Sequence, residues 1–549
     1  MATLPPRTRM SGFLAAVAMG LVAIAPVRDQ TPPVNDGPLL YVAPWGDDAA
    51  DGSVDDPFRT INIAVHRAQS GTTVVLRGGT YRESVQIYGK AVHLRSEVGE
   101  RAVLDAAVPV EGWEPQGDDW SSPGWTRQFY SERSGADVAR TRPEAGYPDQ
   151  VFLDGRPLVQ VLRRDDVEPG TFFHDTAADR LWIGDDPSGR LVEASTASYA
   201  FYFHRADGSS LTDVTVRRYA TERRHMAAIR AYSDDLVLDG LIVEHNARIG
   251  VSAMGSGIVL RDSRVVDNGH MGVHGNRLDT FVVERVGVHG NNKVGFDPFH
   301  SASGIKVTSS TGVTIRDSHV SRNGGPGIWT DLDTRYVTIV RNLVEANGRA
   351  GVEVELSQFV NVLSNVVLGN GEAGIWVLES SDVQVLHNAS FANTNAIEVE
   401  DGPRADVGNV RIKNNTVGDV RPGSKAVIDV NDWTGERSAA QMGVVLDHNA
   451  YWMPDGGSPP HLLRWAQWPA SFGFAADDDA LRRLSGRSAG SVVSRASTNP
   501  FVGTTGPYDY RLPLVFGAGV PLRGSAAAAL GLDDGTRLPP GPVVPVVER

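Results

Sequence analysis

Between residues 304 and 401 the chain alternates short runs of β-branched residues with Gly, Asn and charged residues at a nearly fixed spacing. Gly327, Gly351 and Gly374 open three successive units, 24 and 23 residues apart, and an Asn stands four residues before each of them. The Asn series extends in both directions and comprises Asn246, Asn268, Asn291, Asn323, Asn347, Asn370 and Asn393. Tandem strand-like units of this length predict a parallel β-helix, in which stacked Asn side chains bond to the turn amides of neighbouring coils.

The alternation within each unit assigns side chains to faces, because successive residues of a strand point to opposite sides. The first and third positions after the opening Gly are expected to point into the coil, and they are Ile328, Thr330, Val352, Val354, Ile375 and Val377. The second and fourth positions are expected to project into water, and they are Trp329, Asp331, Glu353, Glu355, Trp376 and Leu378. One outer face of the predicted solenoid therefore carries carboxylates flanked by two Trp residues.

The sequence on either side of the repeats divides the chain further. Residues 111–198 lose the repeat and contain two hairpin signals, at Asp154-Gly155 and near residues 177–179, which predicts a small β-sandwich-like insertion. A short helix around residues 61–69 is expected to cap the open end of the solenoid. The predicted segments are a signal peptide at 1–30, an N-terminal β-helix module at 38–110, the insertion at 111–198, the repeats at 199–417 and a closing segment at 418–549. The predicted fold class is all-β, a parallel β-helix with an inserted β domain.

Composition and the N-terminus restrict the class of protein. A net charge of −14 disfavours nucleic acid and anionic membranes as partners. The absence of cysteine excludes a disulfide scaffold, thiol catalysis and Cys-ligated zinc. Arg7 and Arg9 precede an apolar run over residues 12–25 that is short for a membrane span, as in a secretory signal. We therefore expect a protein exported to the cell envelope or beyond.

The candidate chemistry lies on the outer face. Asp331 and Glu355 both follow their opening Gly by four residues, so on adjacent coils they are expected to lie about 5 Å apart. That spacing is close to the separation of the two carboxyl groups of retaining glycosidases. Glu353, one position pair away, is a rival to Glu355. The candidate substrate-binding residues are Lys306, Trp329, Glu353, Trp376, His274 and Arg230, with His300 on the extra loop of a 32-residue step between Asn291 and Asn323.

Two other functions remain open at this point. In a polysaccharide lyase or uronate epimerase, Lys306, His274 or Arg230 would abstract the C5 proton of the sugar. A carboxylate such as Asp331, Asp333 or Glu355 would then hold Ca²⁺ or neutralise the substrate carboxylate. In a non-catalytic carbohydrate-binding solenoid, the carboxylates would be an ordinary solvated face.

The module that starts at Leu39, the insertion, and the GIWTD and VEVELS segments together resemble the family 120 glycoside hydrolases of the β-xylosidase type. They are also similar to a wider set of secreted bacterial right-handed β-helix proteins. The resemblance covers most of residues 39–400. It implies a right-handed coil, Asp331 as nucleophile, Glu355 as acid/base and a poly- or oligosaccharide substrate. On this hypothesis no metal and no organic cofactor are needed.

Overall fold

The computed structural model describes residues 37–131, 136–222, 226–454, 461–486, 488, 490–497 and 519–543. The predicted signal peptide at residues 1–30 lies outside the described residues. A strand suggested by the Tyr-rich segment at 508–514 lies outside them as well. No helix within the described ranges is long and apolar enough to cross a membrane.

The first coils of the solenoid precede the insertion and are covered by one helix. Helix α1 (Ile61–Arg67) begins at Thr60, whose side chain accepts a hydrogen bond from the Ile63 amide. Its buried residues Ile61, Ala64 and Val65 pack on the first coil, as expected for a cap. The strands are β1 (Leu39–Val42), β2 (Thr72–Leu76), β3 (Gly79–Tyr81), β4 (Val85–Tyr88), β5 (Val92–Ser96) and β6 (Ala102–Asp105).

The insertion consists of two small sheets that pack around their own apolar core. The first sheet has the order β11-β10-β15-β7 and the second the order β12-β13-β14-β9-β8. A turn at Asp154 and Gly155, both with positive φ, closes the first predicted hairpin. The strands are β7 (Ala107–Pro109), β8 (Glu114–Gln116), β9 (Asp119–Pro123), β10 (Val151–Leu153), β11 (Arg156–Pro157), β12 (Val159–Gln160), β13 (Thr171–Asp175), β14 (Arg180–Ile183) and β15 (Val192–Ser195), with 3-10 helices at Pro143–Gly146 and Arg164–Asp166.

The coils resume directly after the insertion. Their strands are β16 (Phe201–His204), β17 (Ser210–Thr212), β18 (Val214–Arg217), β19 (Ala227–Tyr232), β20 (Val237–Asp239), β21 (Ile242–Glu244), β22 (Ile249–Arg261), β23 (Arg264–Val266), β24 (Met271–Glu284), β25 (Gly287–His289), β26 (Ile305–Thr308), β27 (Thr311–Arg316), β28 (His319–Ser321), β29 (Ile328–Asp331), β30 (Thr334–Val340), β31 (Leu343–Glu345), β32 (Val352–Glu355), β33 (Ser357–Leu363), β34 (Val366–Leu368), β35 (Ile375–Leu378), β36 (Ser381–Leu386), β37 (Ala389–Phe391), β38 (Ile397–Asp401), β39 (Arg411–Lys413), β40 (Thr416–Gly418), β41 (Ile428–Asp432), β42 (Val445–Asp447), β43 (Ala450–Met453), β44 (Leu463–Ala466), β45 (Phe472–Ala475) and β46 (Val492–Arg495). Two helices follow late in the chain, α2 (Asp478–Ser485) and α3 (Ser525–Ala529).

These strands stack into three parallel sheets, one strand per coil in each. The site sheet runs β4, β16, β19, β22, β24, β26, β29, β32, β35, β38, β41 and β44, and β45 pairs antiparallel at its end. The second sheet shares the long strands β22 and β24 with it and continues through β27, β30, β33, β36, β39 and β42. The third sheet has 13 strands, from β3 to β46.

The predicted Asn series forms a continuous ladder inside one corner. Each side-chain oxygen accepts from the backbone amide and side-chain amide of the Asn one coil earlier, as Asn370 does from Asn347 at 3.0 Å each. A second ladder, which we did not predict from the sequence, lies between the second and third sheets. Its members are Asn342, Asn365, Asn388, Asn415 and Asn449.

The coils extend beyond the predicted end of the repeats at residue 417. Strands β41 and β44 continue the site sheet, and β43 and β46 continue the third sheet. The step from Asn415 to Asn449 spans 34 residues, so a longer loop hides the period in the sequence. The described part of the closing segment therefore continues the parallel coils, although its repeat lengths in the sequence are uneven.

Candidate functional site

The register of the site sheet aligns the predicted outward residues in two columns. Lys306 pairs with Trp329, Trp329 with Glu353, and Glu353 with Trp376. In the second column Thr308 pairs with Asp331, and Glu355 pairs with Leu378. The inward positions are fully buried, as expected: Ile328, Thr330, Val352, Val354, Ile375 and Val377.

Asp331 and Glu355 stand on adjacent coils, each held by its own donor groups. Lys306 Nζ lies 2.9 Å from Asp331 Oδ2 and also donates to the carbonyl oxygen of His300 at 3.0 Å. Trp329 Nε1 donates to Glu355 Oε2 at 3.0 Å. We call the outer face of the site sheet that carries the two columns the trough. Strands on adjacent coils are about 5 Å apart, so the two carboxylates face the trough about 5 Å apart in the stacking direction.

Lys306 also lies over the face of Trp329, with Nζ 3.0 Å from the ring centroid. Burial lowers the pKa of Lys306, while the neighbouring Asp331 favours its charged form. The ammonium, the indole and the two carboxylates thus form one connected group.

An arginine from a later loop reaches Glu355. Arg404 Nη2 lies 2.5 Å from Glu355 Oε1, and the same guanidinium pairs with Glu379. The Arg404 side chain is half exposed, whereas both of its carboxylate partners are buried. The loop that carries Arg404 therefore forms one rim of the trough.

Glu353 occupies the most buried position among the carboxylates of the trough. Its residue is 1% exposed, and burial raises its pKa to about 8. Arg349 Nη1 lies 3.3 Å from Glu353 Oε2, without the geometry of a hydrogen bond, and Arg349 Nε lies 2.9 Å from Glu372. Glu353 is therefore protonated near neutral pH and can donate a hydrogen bond.

The prediction that these side chains project into water is wrong. Asp331 and Glu355 point outward from the coil but are each only 6% exposed. The loop of the 32-residue step covers the face, since the Pro298 carbonyl accepts from Arg349 and the Phe299 ring lies 4.2 Å from the same guanidinium. A covered carboxylate pair loses water, which strengthens its electrostatic interactions.

The remaining predicted residues are not all brought to this group. His274 is buried one coil before Lys306 in the same column. Arg230 lies four coils before Trp329, about 19 Å away in the stacking direction, and its guanidinium lies over Tyr199 at 4.4 Å. The His300 imidazole is exposed, and only its backbone carbonyl reaches Lys306.

A groove of about 610 Å³ lies beside this loop, between the insertion and the solenoid. It is lined by Arg140, Thr141, Asp297, Phe299 and His300 among others. The insertion therefore contributes to the surroundings of the trough, on the side of the exposed His300 ring.

Sequence reasoning missed Arg349, Glu379 and Arg404, because they lie on turns where the strand period gives no signal. Counting at the same period does extend the two columns to Glu398 and Glu400, and the register places these residues one coil beyond Trp376 and Leu378. Within the described part of the chain, no group of three or more His, Cys, Asp or Glu residues is arranged to hold a metal ion.

Known proteins match this chain over short segments in sequence and over most of its length in structure. A family model described as "Right handed beta helix region" matches residues 227–390. The uncharacterized protein YwoF of Bacillus subtilis is 35% identical over 99 residues, which are 17% of this chain and 21% of YwoF. Pectate lyase PEL9 of Emericella nidulans is 38% identical over 73 residues, which are 12% of this chain and 18% of that protein. The chain thus spans about a fifth of the length of these curated relatives.

A solved structure of XylC in complex with xylose resembles this protein over most of its length. It has a TM-score of 0.66 and 15% sequence identity, and the match covers 85% of this chain and 88% of XylC. At this identity the likeness is one of fold. Together with the stacked sheets and the Asn ladders, these matches show that the protein is a right-handed parallel β-helix with an inserted β domain.

Proposed function

We propose that this protein is a retaining glycoside hydrolase, with Asp331 as the nucleophile and Glu355 as the acid/base. The observation that carries the proposal is the side-by-side placement of the two carboxylates on adjacent coils. A separation near 5 Å suits a double displacement, in which one carboxylate attacks the anomeric carbon directly. An inverting enzyme needs a wider gap, because a water molecule must fit between the sugar and its base.

Each neighbouring group has a part in this mechanism. Lys306 holds the Asp331 carboxylate in position for attack through their 2.9 Å ion pair. Glu355 protonates the leaving oxygen and then deprotonates the water that releases the glycosyl group from Asp331. Trp329 orients Glu355 through its indole N–H. The half-exposed Arg404 pairs with Glu355 Oε1, so its guanidinium must move away before Glu355 can reach the leaving oxygen of a bound sugar.

Glu353 is the rival proton donor. It is uncharged near neutral pH, and it neighbours Glu355 across the intervening Val354. The family 120 resemblance and the likeness of the fold to XylC support a glycan substrate. The proposal extends to export from the cell, on the basis of the N-terminal sequence.

The test is a screen of aryl glycosides and oligosaccharides with four variants. Asp331→Asn should lower kcat on the order of 10³-fold or more, with partial rescue by azide, which can replace the missing nucleophile. Glu355→Gln should lose far more activity on oligosaccharides than on aryl glycosides with good leaving groups, which need little protonation. Glu353→Gln showing that pattern instead would transfer the acid role to Glu353.

Asp333→Asn is the matched control, because this exposed carboxylate pairs only with Arg335 at 2.7 Å in the described structure. It should keep activity within about twofold, as a solvated surface ion pair contributes little. Full activity of Asp331→Asn, or products that absorb in the near ultraviolet as unsaturated sugars do, would contradict the proposal.

A further inference from the structure

The N-terminal half of the trough differs in charge from the half that holds the proposed catalytic residues. From β29 to β41 the two columns carry the carboxylates Asp331, Glu353, Glu355, Glu398, Glu400 and Asp429. From β4 to β24, the paired positions of the described strands are Gln86, Tyr202, Arg230, Ser252 and His274 in one column and Tyr88, His204, Tyr232 and Asn276 in the other. None of these is a carboxylate, so a negatively charged ligand meets the least repulsion in the N-terminal half.

Arg230 is a buried cation of this half, and it has no carboxylate partner. Its residue is 8% exposed, and it forms no ion pair with any Asp or Glu that the structure describes. Its Nε–H donates to the Ala227 carbonyl at 3.4 Å, whereas neither Nη group has an acceptor among the described residues. Glu222 lies near enough to favour the charged guanidinium, but its Oε2 accepts from the Tyr130 amide at 2.7 Å. The fork of Nη groups is therefore available to a ligand.

Tyrosine rings fix the orientation of this guanidinium. Arg230 Cζ lies 4.4 Å from the ring centroid of Tyr199 and 5.9 Å from that of Tyr202. Tyr202 in turn packs edge-on against Tyr199 and Tyr232, with ring centroids 6.4 and 5.7 Å apart. Cation–π contacts use the face of a guanidinium and none of its N–H groups, so they position Arg230 without using its donors. We call Tyr199, Tyr202, Arg230 and Tyr232 the Arg230 site.

The charge and shape of the Arg230 site suit a single carboxylate. Burial lowers the pKa of Arg230, but a guanidinium stays protonated in proteins, so the site holds a positive charge at neutral pH. A buried charge without a counterion costs stability, which an anionic ligand would offset. A planar carboxylate matches the fork through two parallel hydrogen bonds. A phosphate dianion would leave one of its charges uncompensated.

The surroundings of the site favour a carboxylate that belongs to a sugar. Tyr88 is 54% exposed and stacks on His204, with ring centroids 5.4 Å apart. An exposed tyrosine offers an apolar face to a sugar ring and a hydroxyl for hydrogen bonds. The Arg230 site also shares its columns with Asp331, which lies four coils away, about 19 Å in the stacking direction. A glycan of several units can therefore reach both places.

We propose that the Arg230 site binds the carboxylate of a uronate unit, and that the substrate is a glycan with this acidic sugar several units away from a neutral one at the cleaved bond. The position of the cleaved bond rests on the proposed function, whereas binding of the uronate does not. Carboxylates at the catalytic end repel a uronate, so the two halves of the trough select units of different charge.

The first test measures binding of free glucuronate, which has no glycosidic bond to cleave. In calorimetric titrations of the full-length protein, Arg230→Met should weaken glucuronate binding about tenfold or more, because a charge-assisted pair is lost. Arg230→Lys keeps the charge without the planar fork and should give an intermediate affinity, which also keeps the test available if Arg230→Met does not fold. Arg163→Met is the control, because this side chain is 73% exposed on the insertion.

Three further ligands distinguish a sugar acid from other anions. Glucose, acetate and inorganic phosphate should each bind more weakly than glucuronate. Acetate or phosphate binding as tightly as glucuronate would overturn the assignment to a sugar acid. Unchanged glucuronate affinity in Arg230→Met, or an equal loss in Arg163→Met, would overturn the role of Arg230.

A kinetic measurement separates this inference from the proposed function. The substrates are a glucuronate-bearing xylo-oligosaccharide and the same chain without glucuronate. Arg230→Met should reduce the preference for the acidic chain about tenfold, through KM and not kcat, since the contact is the same in the ground state and the transition state. An unchanged preference would overturn the uronate site. If Asp331→Asn stays active while Arg230→Met abolishes glucuronate binding, the catalytic assignment fails and the uronate site stands.

Discussion

Glu353 shows how a single residue of the trough couples the site to stability. Its carboxyl is protonated in the folded protein up to about pH 8 but ionises near 4.5 in the unfolded chain. Folding therefore takes up a proton in this window, so the free energy of unfolding falls as the pH rises from about 4.5 to 8. Above about pH 8 the free energy of unfolding has fallen by the full amount that Glu353 contributes.

Glu353→Gln should flatten this pH dependence. The amide stays neutral at every pH, so the variant should gain stability over the wild type as the pH rises from 5 to 8.5. The gain should be at most about 5 kcal/mol, set by the pKa difference. Thermal unfolding midpoints at four or five pH values check it, and parallel pH curves for the two proteins would contradict it.

At this scale the sequence predicted position better than environment. Counting from the opening glycines placed Asp331 and Glu355 at matching positions of neighbouring strands, and the register pairs the residues just before them, Thr330 and Val354. It could not predict their burial, because the covering residues Arg404 and Phe299 come from loops without a period. Local alternation reports which way a side chain points and not what lies above it.

Among the elements, the Asn ladders hold the coils in register. Asn347 accepts two hydrogen bonds from Asn323 and donates to Asn370 and to the Val320 carbonyl. All of these groups are buried, so a broken ladder leaves several of them without a partner. The first ladder was predicted from the sequence because most of its steps are nearly equal. The second ladder was not predicted, although its successive members Asn342, Asn365 and Asn388 are also 23 residues apart.

Asn347→Ala should destabilise the solenoid by about 2–4 kcal/mol, from the loss of several buried hydrogen bonds. Asn393→Ala, at the last position of the same ladder, should cost about as much, because its side chain also accepts two hydrogen bonds and donates two, to the Val367 carbonyl and to Ser390 Oγ. Hydrogen exchange should show the loss concentrated in the coils next to position 347, since repeat proteins open locally. Uniform loss of protection along the described coils would contradict this.

For the whole molecule, a buried ion cluster joins the insertion to the solenoid. Arg218, after β18, pairs with Asp105 of β6 and with Glu193 of β15. Burial opposes ionisation of Asp105, but the hydrogen bond and charge of Arg218 outweigh it and hold its pKa below the usual value. The stability that Asp105 adds is therefore present above about pH 4 and is lost as the pH falls through its lowered pKa.

Arg218→Met should destabilise the protein by about 3–5 kcal/mol, because it removes the arginine that pairs with buried Glu193 and leaves buried Asp105 with only the partly exposed Arg217. Adding Asp105→Asn and Glu193→Gln should recover most of that loss. Arg285→Met is the control and should cost less than about 1 kcal/mol, because Asp262 is partly exposed and Glu284, the other partner of Arg285, keeps its pair with Arg316. Limited proteolysis at the insertion should accelerate only in the single Arg218 variant, and equal effects of Arg218→Met and Arg285→Met would contradict the role of the cluster.

The overall architecture was predictable because one repeat, read correctly, determines the rest of a solenoid. The insertion was recognised only by loss of that repeat, and its attachment through Arg218 was not, since residues 105, 193 and 218 become neighbours only after folding. After residue 417 the coils differ in length, so the sequence shows no fixed period there although the strands still stack regularly.

The two Asn ladders make each coil an interchangeable unit of length. Residues 366–388 contain one strand of every sheet, β34, β35 and β36, together with one member of each ladder. Excising that stretch would let the remaining strands close up in their original alignment and bring Glu400 beside Glu355. The length of the trough can therefore change by insertion or deletion of whole coils, each of which adds or removes one strand of every sheet without changing the alignment of the others.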